Sequence, residues 1–198
     1  MLSQAVNYSI AEYGDVSGWD IYSNHNTALT ESNIEETIKK FSSTYVVPYL
    51  PKVKKAEYTT FRNAGYTKEF TNIDGSLAVG AGLSAYCMFI MLNDGTYIFI
   101  RSGSHNYGTT EDRDDRITNI LFWVDINGLK NPNVMGRDLF LMMLRTDKDS
   151  PGKLEFYNYS SYKYEDYLKR CQEGADESRM CGMLIMMDGW QIKKHYPW

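Results

Sequence analysis

The residues with the most chemistry in them lie between positions 124 and 138, in the stretch VDINGLKNPNVMGRD. Asp125 and Asn127 are spaced i, i+2, Gly128 supplies a turn, and Asn131, Asn133 and Asp138 follow before the chain turns apolar again. Two chemistries fit that pattern. Oxygen ligands so spaced can hold a hard cation such as calcium, with Asp125, Asn127, Asn133 and Asp138 as the ligand set. The stretch departs from the helix-flanked calcium loop, having no third acidic position at the right spacing and no closing Glu. The other chemistry is structural: Asp and Asn side chains bond the local backbone in Asx-turns that fix a strand-to-strand crossing, and Arg137 is a neighbouring ion-pair partner for Asp138.

Cysteine offers a second kind of chemistry. Cys171 and Cys181 bracket the polar run QEGADESRM, whereas Cys87 sits in an apolar run. Two cysteines closing a short surface loop read as a disulfide, with Cys87 a buried free thiol; the alternative is three reduced thiols. His25, His105 and His195 are isolated, so no zinc spacing exists. Glu111, Asp112, Asp114 and Asp115 crowd carboxylates together, but Arg113 and Arg116 interleave them as on a solvated face. No G-x-S-x-G elbow is present, and Gly80-Ala81-Gly82 lacks the strand–loop–helix setting of a phosphate loop. The expectation is a protein that is not an enzyme.

These residues must be positioned by one domain of ordinary size, since the chain has 198 residues. A net charge of −4 and the lack of a basic stripe argue against nucleic acid as a partner. Lys52, Lys54 and Lys55 beside Pro51 form a basic cluster, far short of such a stripe. Sixteen tyrosines suit a surface that meets partners, because the ring gives contact area while the hydroxyl tolerates water. No apolar run approaches the ~18–20 residues of a membrane span. Met1-Leu2-Ser3-Gln4 opens directly into an amphipathic segment without a secretory signal, so a disulfide would imply a segment ahead of Met1.

The periodicities predict an α+β domain spanning 1–198. Leu2, Ala5, Val6, Ile10 and Tyr13 recur at helical spacing up to Gly14, with no cap before Leu2. A second helix from Thr30 buries Ile34, Ile38, Phe41 and Tyr45 and stops before Pro48. After Pro51 come strands, most clearly the hairpin AYCMFIML-NDG-TYIFIR. A polar loop occupies 102–118, further strands lie near 119–126, 138–145 and 153–157, and helices near 162–169 and 180–187.

Three stretches together resemble the type IV pilin-like, or pseudopilin, family. VDINGLKNPNVMGRDLF is similar to a D-x-N-G-x-x-x-P-N-x-x-G-x-D-x-F pattern of pilin-like proteins. The closing C-x9-C-G-M-L-I-M-M-D-G-W-Q-I resembles their Cys-bracketed end, where a short helix leads into a Gly-Trp-x-Ile strand. LSQAVNYSIAEYGDVSGW is similar to the region just after their hydrophobic helix. Residues 45–118 carry no resemblance. The family implies an N-terminal helix packed on an antiparallel sheet, residues 1–14 being the remnant of a longer one, and a disulfide-closed C-terminal region; closing the Cys171–Cys181 loop would itself pin the segment with Trp190 and Ile192 onto the sheet. It implies a non-enzymatic subunit of a type IV pilus or secretion pseudopilus at the cell surface. Its partners would be other pilin-like subunits and the assembly machinery, with membrane contact only through the preceding helix. A surface module that binds glycan or protein through the 102–118 loop is the alternative from another class.

Overall fold

The computed structural model describes residues 1–19, 21, 31–78, 82–103, 119–146, 152–158 and 161–198; the crowded carboxylates of 111–115, the 102–118 loop beyond Gly103, His25 and His105 lie outside them. The described chain is α+β. Helix α1 (Leu2–Tyr13) and helix α2 (Glu31–Tyr45) come first. Six strands follow: β1 (Val53–Thr60), β2 (Tyr86–Leu92), β3 (Tyr97–Ser102), β4 (Asn119–Asp125), β5 (Leu139–Arg145) and β6 (Leu154–Phe156). Helices α3 (Tyr164–Glu173) and α4 (Cys181–Met187) close the order. The strands form one antiparallel meander in sequence order, with Phe89 opposite Phe99, Phe99 opposite Trp123 and Phe122 opposite Met142.

The strands do not alternate apolar and polar because both faces of the sheet are covered. Met88, Ile90, Ile98, Ile100, Ile120 and Phe122 enter the core shared with the first two helices. Their neighbours Cys87, Phe89, Phe99, Trp123 and Leu141 enter a second core, closed by Phe61, Tyr66, Phe70 and Leu83 from the β1–β2 connection. A long irregular connection therefore replaces a third layer of secondary structure. Its aromatic rings pack edge to face, Phe61 on Phe70 at 5.3 Å and Tyr66 on Phe70 at 4.8 Å.

Helix α2 lies over β2 and β3, and α1 lies beside it against α2, the Val47–Tyr49 turn and the edge strand β6. Leu2, Ala5 and Val6 are buried in the same core, while Tyr13 stays largely exposed with its ring edge-on to Tyr45 at 5.2 Å. The Ser9 hydroxyl donates to Tyr45 O at 2.9 Å, and Trp19 stacks on the Tyr45 ring at 4.2 Å while its indole N–H donates to Gly14 O. These contacts fix the exit of α1 onto the end of α2. Among the described residues no helix is long and apolar enough to cross a membrane.

Cys171 in α3 and Cys181 in α4 form a disulfide across ten residues of sequence, and Cys87 is free and buried. Helix α3 runs four residues past the predicted 162–169, ending at Gly174, whose φ of 71° suits glycine. Thiol labelling of unreduced, denatured protein is expected to find Cys87 alone. Replacing Cys171 and Cys181 by serine should lower unfolding free energy by about 2.7 kcal/mol, from closure of a ten-residue loop; an unchanged urea midpoint would contradict that.

The closing segment departs from expectation. Trp190 and Ile192 are 66% and 65% exposed, and 188–192 forms no strand. Gly189 and Trp190 both take positive φ, 68° and 65°, which turns the chain outward after α4. The tail is anchored instead by buried Tyr196 and by Asp188, described below. Trp190 meets the sheet at Phe156, ring centroids 5.7 Å apart.

Candidate functional site

The oxygen-rich loop joins β4 to β5, with Asp125 the last residue of β4 and Asp138 the last before β5. Both carboxylates are buried. Asp125 Oδ1 accepts the Asn127 backbone N–H at 3.0 Å, an Asx-turn, and Oδ2 accepts the Tyr66 hydroxyl at 2.6 Å. Asp138 Oδ1 accepts the Val134 N–H at 2.5 Å. Its Oδ2 accepts the Asn133 N–H at 2.9 Å and the Asn127 side-chain amide at 3.1 Å. With its amide nitrogen turned inward, as the surrounding acceptors require, Asn133 donates to Gly128 O at 3.1 Å, Lys130 O at 3.0 Å and Asp125 Oδ2 at 3.1 Å. Four of the predicted site residues thus meet in one place, and Arg137 is not the partner of Asp138.

Two glycines tie this knot to the rest of the molecule. Gly128 has φ 63°, and a Cβ there would lie 2.7 Å from Gly95 O in the β2–β3 turn. Gly136 has φ 85°, and a Cβ would lie 2.2 Å from Ser178 O and 3.1 Å from the Cys181 sulfur. The loop therefore packs directly on the disulfide-bonded region. It is also stitched to the β1–β2 connection, where the Met135 N–H donates to Thr71 O at 2.8 Å.

Burial pushes the Asp125 carboxyl up to about 6, and the negative charge of Asp138 adds to that; the hydrogen bonds from Tyr66 and Asn127 oppose it. Each of the four carboxylate oxygens faces at least one N–H or O–H donor. A hard cation would have to displace these donors, whereas Asx-turn bonding leaves them where they are. Asn127 Oδ1 is buried without a donor among the described residues, but one such oxygen does not make a cation cage. No group of three or more His, Cys, Asp or Glu placed to hold a metal occurs among the described residues. The closed geometry also denies a substrate access to either carboxylate.

A second carboxylate cluster closes the C-terminus. Asp188, at the end of α4, accepts the hydroxyls of Tyr164 at 3.1 Å and Tyr196 at 3.2 Å. It also meets His195 Nε2 at 3.1 Å and the Lys193 ammonium. Asp188 lies below the usual carboxylate range: burial works against this, but bonds from Lys193, Tyr164 and Tyr196 outweigh it. The phenol of Tyr164 is pushed up, first by burial and then by Asp188. A tyrosine acting as a base would need the opposite shift, so this cluster reads as a clasp for the tail.

A cleft of about 740 Å³ lies between α2 and the ends of β1–β3, lined by Ile34, Ile38, Tyr58, Tyr86, Cys87 and Arg101. Tyr58 and Tyr86 stack in it, 5.8 Å apart and 12° from parallel. Burial pushes the Cys87 thiol up to about 12, so it is not a ready nucleophile.

The family model that matches the chain covers residues 1–198 and describes a family of unknown function, DUF6613. The chain belongs to that family. No curated protein and no solved structure matches it.

Tyr66 and the Asp188 cluster of this DUF6613 chain carry no signal in the sequence that marks them as a site. Tyr66 lies 59 residues from Asp125, in a stretch whose only sign is its aromatic content. Asp188-Gly189 reads simply as a helix stop.

Two measurements check the knot. Because the folded pKa of Asp125 is raised, its contribution to stability is fully present below about 4 and lost as pH rises through about 6. Urea unfolding should therefore show a gain of about 1 kcal/mol on going from pH 7 to pH 5, relative to Asp125→Asn; parallel profiles would remove Asp125 as the cause. Millimolar calcium added to chelator-treated protein is expected to leave Tm in place, and a rise of several degrees would put a cation among the loop oxygens.

Proposed function

We propose that this chain is the globular part of a pilin-like subunit, which works by assembly and surface presentation and not by catalysis. The observation that carries the reading is the contact at Gly136. Two stretches that separately resemble the family, the D-x-N-G to G-x-D loop and the Cys-bracketed end, pack on each other there with no room for a side chain. Within the loop, Asp125, Asn127, Gly128, Asn133, Gly136 and Asp138 each have a structural task, so the spacing serves one local shape. The order of helix, antiparallel sheet and disulfide-bonded end agrees with the reading. So does a disulfide, which belongs to oxidising compartments.

The test is the natural full-length polypeptide. It is expected to carry an apolar segment of about 20 residues continuous with α1, and to be released from the membrane fraction only by detergent. A natural polypeptide without that segment, with reduced Cys171 and Cys181 in the cytosol, would overturn the reading. The Tyr58–Tyr86 cleft favours a second reading, a surface module that binds a small glycan. Saturable binding of oligosaccharides that is lost in Tyr86→Ala would favour it over assembly.

A further inference from the structure

The 189–194 segment, GWQIKK, is exposed along its whole length, and both of its ends are held by one carboxylate. Asp188 precedes the loop and bonds Lys193 near its far end and His195 and Tyr196 just beyond it. Inside, the Gly189 N–H donates to Met186 O at 3.1 Å and the Trp190 N–H to Ile185 O at 2.9 Å. An indole and an isoleucine are thus presented to solvent on a loop that has little ordering left to lose on binding. Such pre-ordered aromatic residues are the usual anchors of protein interfaces.

Charge says what kind of surface would receive them. Residues 189–198 carry Lys193 and Lys194 and no carboxylate side chain. From helix α1 through the Val16–Gly18 turn after it the chain carries Glu12 and Asp15 and no Lys or Arg. Within that acidic segment the outer face of α1 also offers aromatic area: Tyr8 is 63% exposed and lies one helical turn before Glu12, which the Tyr49 hydroxyl holds in place at 2.6 Å. One copy keeps both surfaces exposed, and a second copy supplies the complement of each.

We propose that the 189–194 loop of one copy docks on the α1 face of a second copy, with Trp190, Ile192 and Lys194 against Tyr8 and Glu12. Because the two surfaces differ, the contact is head-to-tail and repeats without closing unless the rotation forms a ring. Its role in a filament rests on the assembly reading; the contact itself is tested on the isolated chain. Gln191→Cys protein is mixed with a differently tagged Asn7→Cys protein and treated with a short bis-maleimide, which spares buried Cys87. The mixed product is expected to exceed that of a Gln191→Cys and Asn63→Cys mixture by about tenfold, and to fall by a similar factor when Trp190→Ala is added. Lys194→Glu in the first protein should lower the yield, and Glu12→Lys in the second should restore it. A yield equal to the Asn63 control, or no rescue by the charge swap, would overturn the contact. That failure would leave the apolar-segment test of the assembly reading untouched.

Discussion

Gly136→Ala is expected to lower unfolding free energy by more than about 3 kcal/mol. Two costs combine in it. The residue has φ 85°, a region that costs an L side chain roughly 1–2 kcal/mol. The new methyl would also lie 2.2 Å from Ser178 O, a backbone carbonyl in the turn that leads into Cys181. That carbonyl cannot swing aside as a side chain would, because the disulfide fixes the next element. Gly75 separates the two costs: it has the same φ of 85°, and a methyl there would meet nothing within 4 Å. Gly75→Ala should therefore show the backbone cost alone in urea unfolding. If both variants lose the same free energy, the loop and the disulfide region are not in tight contact, and the support that contact gives to the assembly reading goes with it.

What is legible in the sequence, and what is not, follows the range of the interactions. The β2–β3 hairpin is legible because Asn93-Asp94-Gly95 is a local turn signal, and the side chain of Asp94 accepts the Thr96 N–H at 2.9 Å. Helix α2 is legible because Ile38, Phe41 and Tyr45 share one buried face. The loop is legible as two alternatives, since the same oxygens that could face a cation can face backbone N–H groups; only the folded chain shows which donors are near. The second core is not legible. Phe61, Tyr66, Phe70 and Leu83 follow no period, since they belong to an irregular connection whose rings are placed by the sheet beneath them. The tail is misplaced for a related reason. Closure of the Cys171–Cys181 loop predicts Trp190 and Ile192 on the sheet, but buried Asp188 draws its four polar partners from both α3 and the tail, and satisfying that carboxylate fixes the chain path. In both places a long-range polar or aromatic contact overrides local pattern.

Asp138→Ala should be comparably damaging, at about 3–5 kcal/mol, for a different reason. The carboxylate accepts the Asn133 and Val134 N–H groups and the Asn127 amide, three donors in a part-buried loop. Stranding a buried donor costs about 1–3 kcal/mol each, less where water can enter the space the side chain leaves. Asp138→Asn is not a mild substitute, because it can keep the Val134 bond only by turning its amide nitrogen toward the Asn133 and Asn127 donors. The variant also carries a signature that simple loss of packing would not give. Asp138 is one of the charges that push the Asp125 carboxyl upward. Removing it should move the Asp125-dependent rise in stability to lower pH, with the rise still absent in Asp125→Asn. Urea midpoints for Asp138→Ala measured at half-unit steps from pH 4 to pH 7 would read that displacement. A profile that keeps its wild-type midpoint would mean the two carboxylates do not sense each other, and the buried pair would have to be redrawn as two independent turns.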